Sequence, residues 1–212
     1  MVVSIFRFIS DNLTYVRENR ALAIDAALDS LVGPAPPSNS VILTSVPDFY
    51  PHLREFTNAP VFSGDDPSFI WDSQSQNSGD LKGFAVGRVL PNMQGANMVI
   101  FLQVFADNAH NARLSLYDSA KNLVTDLTPV GDLRDGDMNP ITGAIGDTQP
   151  PYQWQNVRYY SNLYTFSDLT PLNYALILSF EVSNYVDLNN APTNPAALAF
   201  IMNVVVDAPN SD

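Results

Sequence analysis

The chain has 212 residues, 46% of them hydrophobic, a mean hydropathy of −0.02 and a formal net charge of −12. That length and hydrophobic content suit one large domain and exclude a wholly disordered chain, and no run approaches the roughly 20 apolar residues of a membrane-spanning helix. So acidic a surface repels phosphate backbones, so no direct nucleic-acid partner is expected, and the lack of cysteine excludes disulfides, thiolate metal sites and cysteine nucleophiles.

The charge comes from 19 Asp and only 3 Glu, against 8 Arg and 2 Lys. Glu and Lys are the usual charges of exposed helices, whereas Asp, Asn and Pro favour turns. The balance predicts strands joined by many loops.

Residues 1–32 carry the one persuasive helix pattern. Ser10 or Asp11 can serve as N-cap, Leu13, Val16, Ile24, Leu28 and Leu31 recur near helical spacing, and Gly33 followed by three prolines within four residues ends it. Residues 2–9 ahead of it are apolar and fit either a strand or an extension of the helix. No basic region precedes them and no small-residue cleavage site follows, so no secretory signal is expected. The apolar stripe of Leu13, Val16, Ile24, Leu28 and Leu31 needs a cover, either the chain's own sheet or a neighbouring subunit. On the second view residues 1–33 form an N-terminal helical arm and these five residues an oligomer interface. A Pro-rich linker at 34–40 and a β-sandwich domain at 41–212 follow.

Residues 41–46 read as a first or edge strand, and 48–80 as an irregular stretch rich in proline and aromatics that can hide short strands. Residues 82–90 alternate apolar and other residues. Residues 97–105 are apolar on both phases and are placed centrally in a sheet. Residues 107–111 read as a turn, and 112–117 with 122–127 as a meander. A second long loop, 128–151, precedes an aromatic segment, 153–166, that holds one or two strands. The C-terminal third is the clearest. Tyr174, Leu176, Leu178, Phe180 and Val182 alternate with a partly polar phase, as do Leu198, Phe200, Met202, Val204 and Val206. These two runs are expected to be long strands of one sheet. About eight strands, long loops and no βαβ alternation give a mainly β fold: an antiparallel sandwich, jelly-roll-like, with one N-terminal amphipathic helix.

Little in the chain points to chemistry. His110 lies in the polar turn, where a solvated surface histidine is expected, and His52 in an aromatic loop; no nucleophile elbow or phosphate cradle accompanies them. A non-enzyme is the expectation. Asp135, Asp137 and Asn139 offer side-chain oxygens at alternate positions, a spacing that can wrap Ca²⁺, although Pro140 stands where an EF-hand needs its glycine. No other cofactor is expected. Trp71 and Trp154 are the aromatics best suited to stack on sugar rings.

This pattern of a sandwich with long Pro/Asn/Gly loops, no cysteine, few flexible charges and an amphipathic N-terminal helix resembles single jelly-roll virion capsid or coat subunits. The resemblance spans residues 41–207, with 1–33 as a docking arm. It implies a structural protein of the virion that self-associates as trimers or pentamers and meets other shell proteins. The N-terminal region has only Arg7, Arg17 and Arg20 where RNA-packaging coats carry a basic arm, so the likeness is to shells that do not touch the genome. The alternative is an extracellular or cell-surface sandwich that binds carbohydrate or a host surface, with or without Ca²⁺.

Overall fold

A computed structural model describes residues 2–48, 50–51, 53, 65–77, 79–90, 93–128, 133–135, 157–167, 169, 173–184 and 195–209. Two antiparallel sheets stack face to face, with one helix on the outside.

The first sheet holds β10 (Arg158–Phe166), β6 (Ala96–Asp107), β12 (Ala197–Ala208), β4 (Ile70–Trp71) and β3 (Val41–Ile42) in that order, and β1 (Val2–Ile9) also pairs with β12. The second holds β2 (Tyr15–Arg17), β5 (Leu81–Leu90), β11 (Tyr174–Ser183), β7 (Ala109–Tyr117) and β8 (Leu123–Asp126), with β9 (Leu133–Asp135) also on β7. Each sheet mixes strands from distant parts of the chain, an interleaving compatible with a jelly roll.

The two C-terminal strands do not share a sheet, contrary to the sequence expectation. β11 lies between β5 and β7 in the second sheet, and β12 lies beside β6 in the first. They meet across the core, with the Phe180 and Phe200 rings 4.8 Å apart. A period of two tells which face of a strand is buried; it does not tell which strand is its neighbour. Their apolar phases, Leu176, Leu178, Phe180 and Val182 against Leu198, Phe200, Met202 and Val204, fill the space between the sheets.

The turn expected at 107–111 is instead a crossing. β6 runs to Asp107 in the first sheet and β7 starts at Ala109 in the second, so the chain passes from one layer to the other with hardly a break. His110 is therefore buried, not a surface histidine, and its ring lies 3.5 Å from the Tyr160 hydroxyl. β7 and β8 do form the expected hairpin. β6 is central, as expected, but only its C-terminal half is buried on both faces.

At the N-terminus the helix is shorter than its pattern suggests. α1 spans Arg20–Val32, capped by the Asn19 side chain, which accepts the Leu22 N–H at 3.0 Å. Leu13 sits in an exposed turn and Val16 on β2 points into the core, so neither belongs to a helical stripe. β1 pairs with β12 along eight residues. Residues 2–9 thus enter the first sheet and 15–17 the second, where the sequence suggested an arm set apart by a linker. Gly33 does end the helix, its N–H bonding the Asp29 carbonyl.

α1 seats on the outer face of the second sheet because the contact is made of small groups. Ala23, Ala27 and Leu28 pack on Ala85, Ala175 and Ile177, with Ile24 and Leu31 at the margin. A Cβ on Gly83 would lie 2.0 Å from the Asn19 carbonyl carbon, so only glycine lets the helix start approach β5 this closely. Arg20, at that start, is buried. It donates to the Asn111 carbonyl and pairs with Glu181 at 3.7 Å. Burial lowers its pKa to about 10, with Glu181 opposing the shift.

Candidate interaction surface

With the core sealed between the sheets and α1 covering one outer face, the other outer face, that of the first sheet, decides what the molecule can present. Its residues follow from register. Phe6 and Phe8 of β1 point inward, so Val3, Ile5, Arg7 and Ile9 point out. Their cross-strand partners extend each position into a row over β12, β6 and β10.

One row is apolar from end to end: Ile5, Val205, Val99 and Leu163. Ile5 is 42% exposed and Leu163 61%. On one side stands the row of Val3, Asp207, Asn97 and Thr165, where Val3 is exposed and the Thr165 hydroxyl donates to the Asn97 amide oxygen at 2.9 Å. On the other side come Arg7, Asn203, Phe101 and Ser161. Arg7 Nε donates to Asn203 Oδ1 at 2.7 Å, and Phe101 is 38% exposed. Burial lowers the Arg7 pKa, with Asp66 opposing.

The next row, Ile9, Ile201, Gln103 and Tyr159, marks where cover begins. Tyr50, Leu53 and Phe69 lie over Phe105, Ala199 and Ile201, and the Tyr50 and Phe105 rings are 4.8 Å apart. Only Tyr159, at the sheet edge, stays open, at 63%. Three rows across four strands span about 20 Å by 20 Å, or about 400 Å².

The cover is anchored by a buried acid. Asp107, at the crossing between the sheets, accepts from the Tyr50 hydroxyl and the Asn108 amide. Burial pushes its pKa up to about 7, with the Tyr50 bond opposing; burial and the Asp107 charge push the Tyr50 pKa up as well. Its partners make it a tether for the covering segment.

At the far edge of the sandwich Val16, Arg17, Glu18, Leu22, Asn39, Ser40, Val41, Asp72 and Lys82 line an open groove of about 760 Å³. Lys82 and Asp72 pair across it at 2.6 Å, and that bond raises the Lys82 pKa. Both charges are thereby spent on each other.

The site residues expected from sequence fare unevenly. Ile24, Leu28 and Leu31 sit together on the chain's own sheet, apart from Leu13 and Val16. Trp71 cannot stack on a sugar: it is fully buried on β4 beside Phe84, ring centroids 5.5 Å apart. Trp154 and His52 lie outside the described residues. Of the Ca²⁺ trio, Asp135 lies on β9 opposite His110, whereas Asp137 and Asn139 fall outside the described residues. No cluster of three or more metal-ligating side chains occurs among the described residues. No described helix is long and apolar enough to cross a membrane. Sequence reasoning missed the open face altogether, although the alternation of Val3, Ile5, Arg7 and Ile9 against Phe6 and Phe8 was there to find it.

No protein-family model matches the chain, and no curated protein matches it. Among solved structures it is similar to one described as "CBM4 structure and function", at 8% identity and a TM-score of 0.31 over 72% of this chain and 82% of that one. It is also similar to a cyclase from Fischerella sp. TAU, at 8% identity and a TM-score of 0.36 over 97% of this chain and 100% of that one. A third is the K3 cleaved adhesin domain of Lys-gingipain from Porphyromonas gingivalis w83, at 10% identity and a TM-score of 0.32 over 82% of this chain and 93% of that one. Likenesses this distant carry no argument about function, which rests on the chain's own geometry.

Proposed function

We propose that this chain is a non-enzymatic assembly subunit that associates with further copies of itself and, in a shell, with other proteins. The observation that carries the reading is the asymmetry of cover. α1 packs across one outer face, while the other carries the row Ile5–Val205–Val99–Leu163, exposed at Ile5 and Leu163 and half-buried between, with exposed Val3 and Phe101 beside it. Burying that row releases water from apolar surface at about 25 cal/mol per Å². The setting that fits the sequence likeness is a virion, as a capsid or capsid-associated component that meets no nucleic acid. The net charge of −12 supports that last point.

Sedimentation velocity on the full chain and on an Ile5→Lys/Val99→Lys variant tests the reading. Assembly of the wild type that is lost in the variant, with the monomer's circular dichroism unchanged, is the expected result. A wild type that sediments as a monomer at every concentration contradicts it, as does a variant that assembles equally well.

A second reading has one observation of its own. Tyr159 and Phe101, on diagonal positions of β10 and β6, are exposed aromatics on the same face, beside Gln103 and Ser161. Such a pair can stack on a sugar ring and so supports a carbohydrate- or surface-binding module outside the cell. Glycan-array binding that disappears in Tyr159→Ala would favour it, and a blank array would set it aside.

A further inference from the structure

Association across the outer face of the first sheet makes no use of the far edge of the sandwich, where β2 ends the second sheet and β3 the first. Residues 37–40 bridge the two sheets there. The Val16 N–H donates to the Ser38 carbonyl at 2.9 Å, and the Arg17 guanidinium donates to the Ser38 and Pro37 carbonyls at 3.1 and 2.7 Å. Lys82 of β5 and Asp72, one residue beyond β4, tie the sheets together a second time. Residues of both ties line the groove of about 760 Å³, a volume within the range of small-molecule sites.

Polar groups converge on this groove with hydrogen-bonding capacity to spare. Ser40 is only 9% exposed, and its buried hydroxyl has no hydrogen-bond partner. Leaving a buried hydroxyl unpaired costs stability, and native structures keep few such groups. Beside it Asn39 is exposed and holds a φ of 60°, a left-handed backbone that Asn tolerates better than most residues. Its amide brings two donors and an acceptor to the groove wall.

Charge narrows the class of ligand. Arg17, Lys82, Glu18 and Asp72 line the groove, two of each sign, in a chain of net charge −12. Arg17 is taken up by backbone carbonyls, and Lys82 and Asp72 stand 2.6 Å apart. So balanced a site offers little net attraction to an anion or a cation. The Lys82–Asp72 pair does hold a donor and an acceptor side by side, because the ammonium keeps two further N–H groups and the carboxylate further lone pairs. Neighbouring hydroxyls on a sugar ring suit such a pair, one donating to Asp72 and the next accepting from Lys82. Leu22 and Val41 add apolar surface for the C–H groups between them.

We propose that this groove binds an uncharged saccharide of about one or two rings, held by the Lys82–Asp72 pair and the Asn39 amide, and that the sugar gives the Ser40 hydroxyl its partner. The site is separate from the exposed Tyr159 and Phe101, which lie on the outer face of the first sheet. It stands whether or not copies associate, since contact across that face leaves the groove open.

Calorimetric or ligand-observed NMR titration of the full chain with neutral disaccharides (maltose, cellobiose, lactose, xylobiose and mannobiose) tests the proposal. At least one is expected to bind with a millimolar or tighter Kd, and glucuronic acid to bind no better than glucose. Asn39→Gly keeps the left-handed backbone and removes the amide; Lys82→Met keeps an apolar stem and removes the ammonium. Each is expected to weaken binding about tenfold. Because Asn39 is exposed, its variant should melt like the wild type, so the test survives if Lys82→Met loosens the sheets. Tyr159→Ala is expected to change nothing. A panel with no binder at tens of millimolar overturns the proposal, as does binding that Asn39→Gly leaves intact or a clear preference for glucuronic acid. Binding lost in Tyr159→Ala but kept in Asn39→Gly also overturns it and moves the sugar to the open face. The assembly reading is untouched by any of these results, because it is judged by sedimentation.

Discussion

Replacing Gly83 by alanine tests how the helix is held. Gly83 sits in ordinary strand backbone on β5, so an added methyl would on chain entropy alone stabilise by about 0.4–1 kcal/mol. Its Cβ would instead lie 2.0 Å from the Asn19 carbonyl carbon, 2.2 Å from its oxygen and 2.3 Å from the Arg20 nitrogen. Carbon contacts settle near 3.5–4.0 Å, so the start of α1 must lift by more than about 1 Å. That movement strains the Asn19 cap, worth about 1 kcal/mol. It also pulls Arg20 from Glu181 and thins the packing of Ala23, Ala27 and Leu28. The expected loss is about 3–5 kcal/mol, at the upper end for overpacking because the obstacle is backbone. Gly87→Ala is the control. Its Cβ would meet Ile177 Cδ1 at 2.4 Å, the tip of a side chain that can turn away, so the loss should stay under about 2 kcal/mol. In urea unfolding, with a slope near 2 kcal/mol per molar, Gly83→Ala should lower the midpoint by about 1.5 M or more. Equal midpoints for the two variants, or a loss under about 1 kcal/mol for Gly83→Ala, would refute this account of the helix seat.

Asp107 gives a pH dependence. Its folded pKa of about 7 lies above the unfolded value near 3.9, so the folded state keeps a proton that the unfolded state has already released. Stability should therefore fall as pH rises from about 4 to about 7, by up to about 4 kcal/mol, and level off above; Asp107→Asn should flatten that slope in urea midpoints taken across the range. Arg20→Ala leaves Glu181 half-sheltered without its partner and should cost about 2–3 kcal/mol by thermal or urea unfolding, more than Arg17→Ala on the neighbouring strand. Trp71→Ala should cost about 3–5 kcal/mol in the same assay, as for a large core side chain, and should leave any glycan binding by the folded protein unchanged.

Much of the fold was legible because alternation is a local signal. The spans of β5, β6, β11 and β12 follow from it to within a few residues. Sheet membership was not legible. β11 and β12 carry the same kind of alternation, and nothing in either run says that Phe180 faces Phe200 across the core instead of beside it. The N-terminus misled for a different reason. Leu13 and Val16 happen to fall near helical phase with Ile24, Leu28 and Leu31, while short strand pairings that depend on β12 and β5 claim residues 2–9 and 15–17. Tertiary pairing overrode the periodicity. His110 and Trp71 were misplaced because polar neighbours at 107–111 resemble turn chemistry and residues 48–80 look irregular, whereas burial there is decided by the crossing between sheets and by β4 lying against β12. Alternation in residues 3–9 marks which side chains of β1 point outward, but which strands continue that face could be read only once the strand order was known.

The measurement that bears most directly on the central claim is the solution mass of the full chain by light scattering, over a wide concentration range in low and high salt. Self-association through an apolar face predicts a twofold or higher multiple of 23.3 kDa. It should be strengthened by salt, which screens the repulsion between chains of charge −12. A mass of 23.3 kDa at every concentration and salt would contradict it.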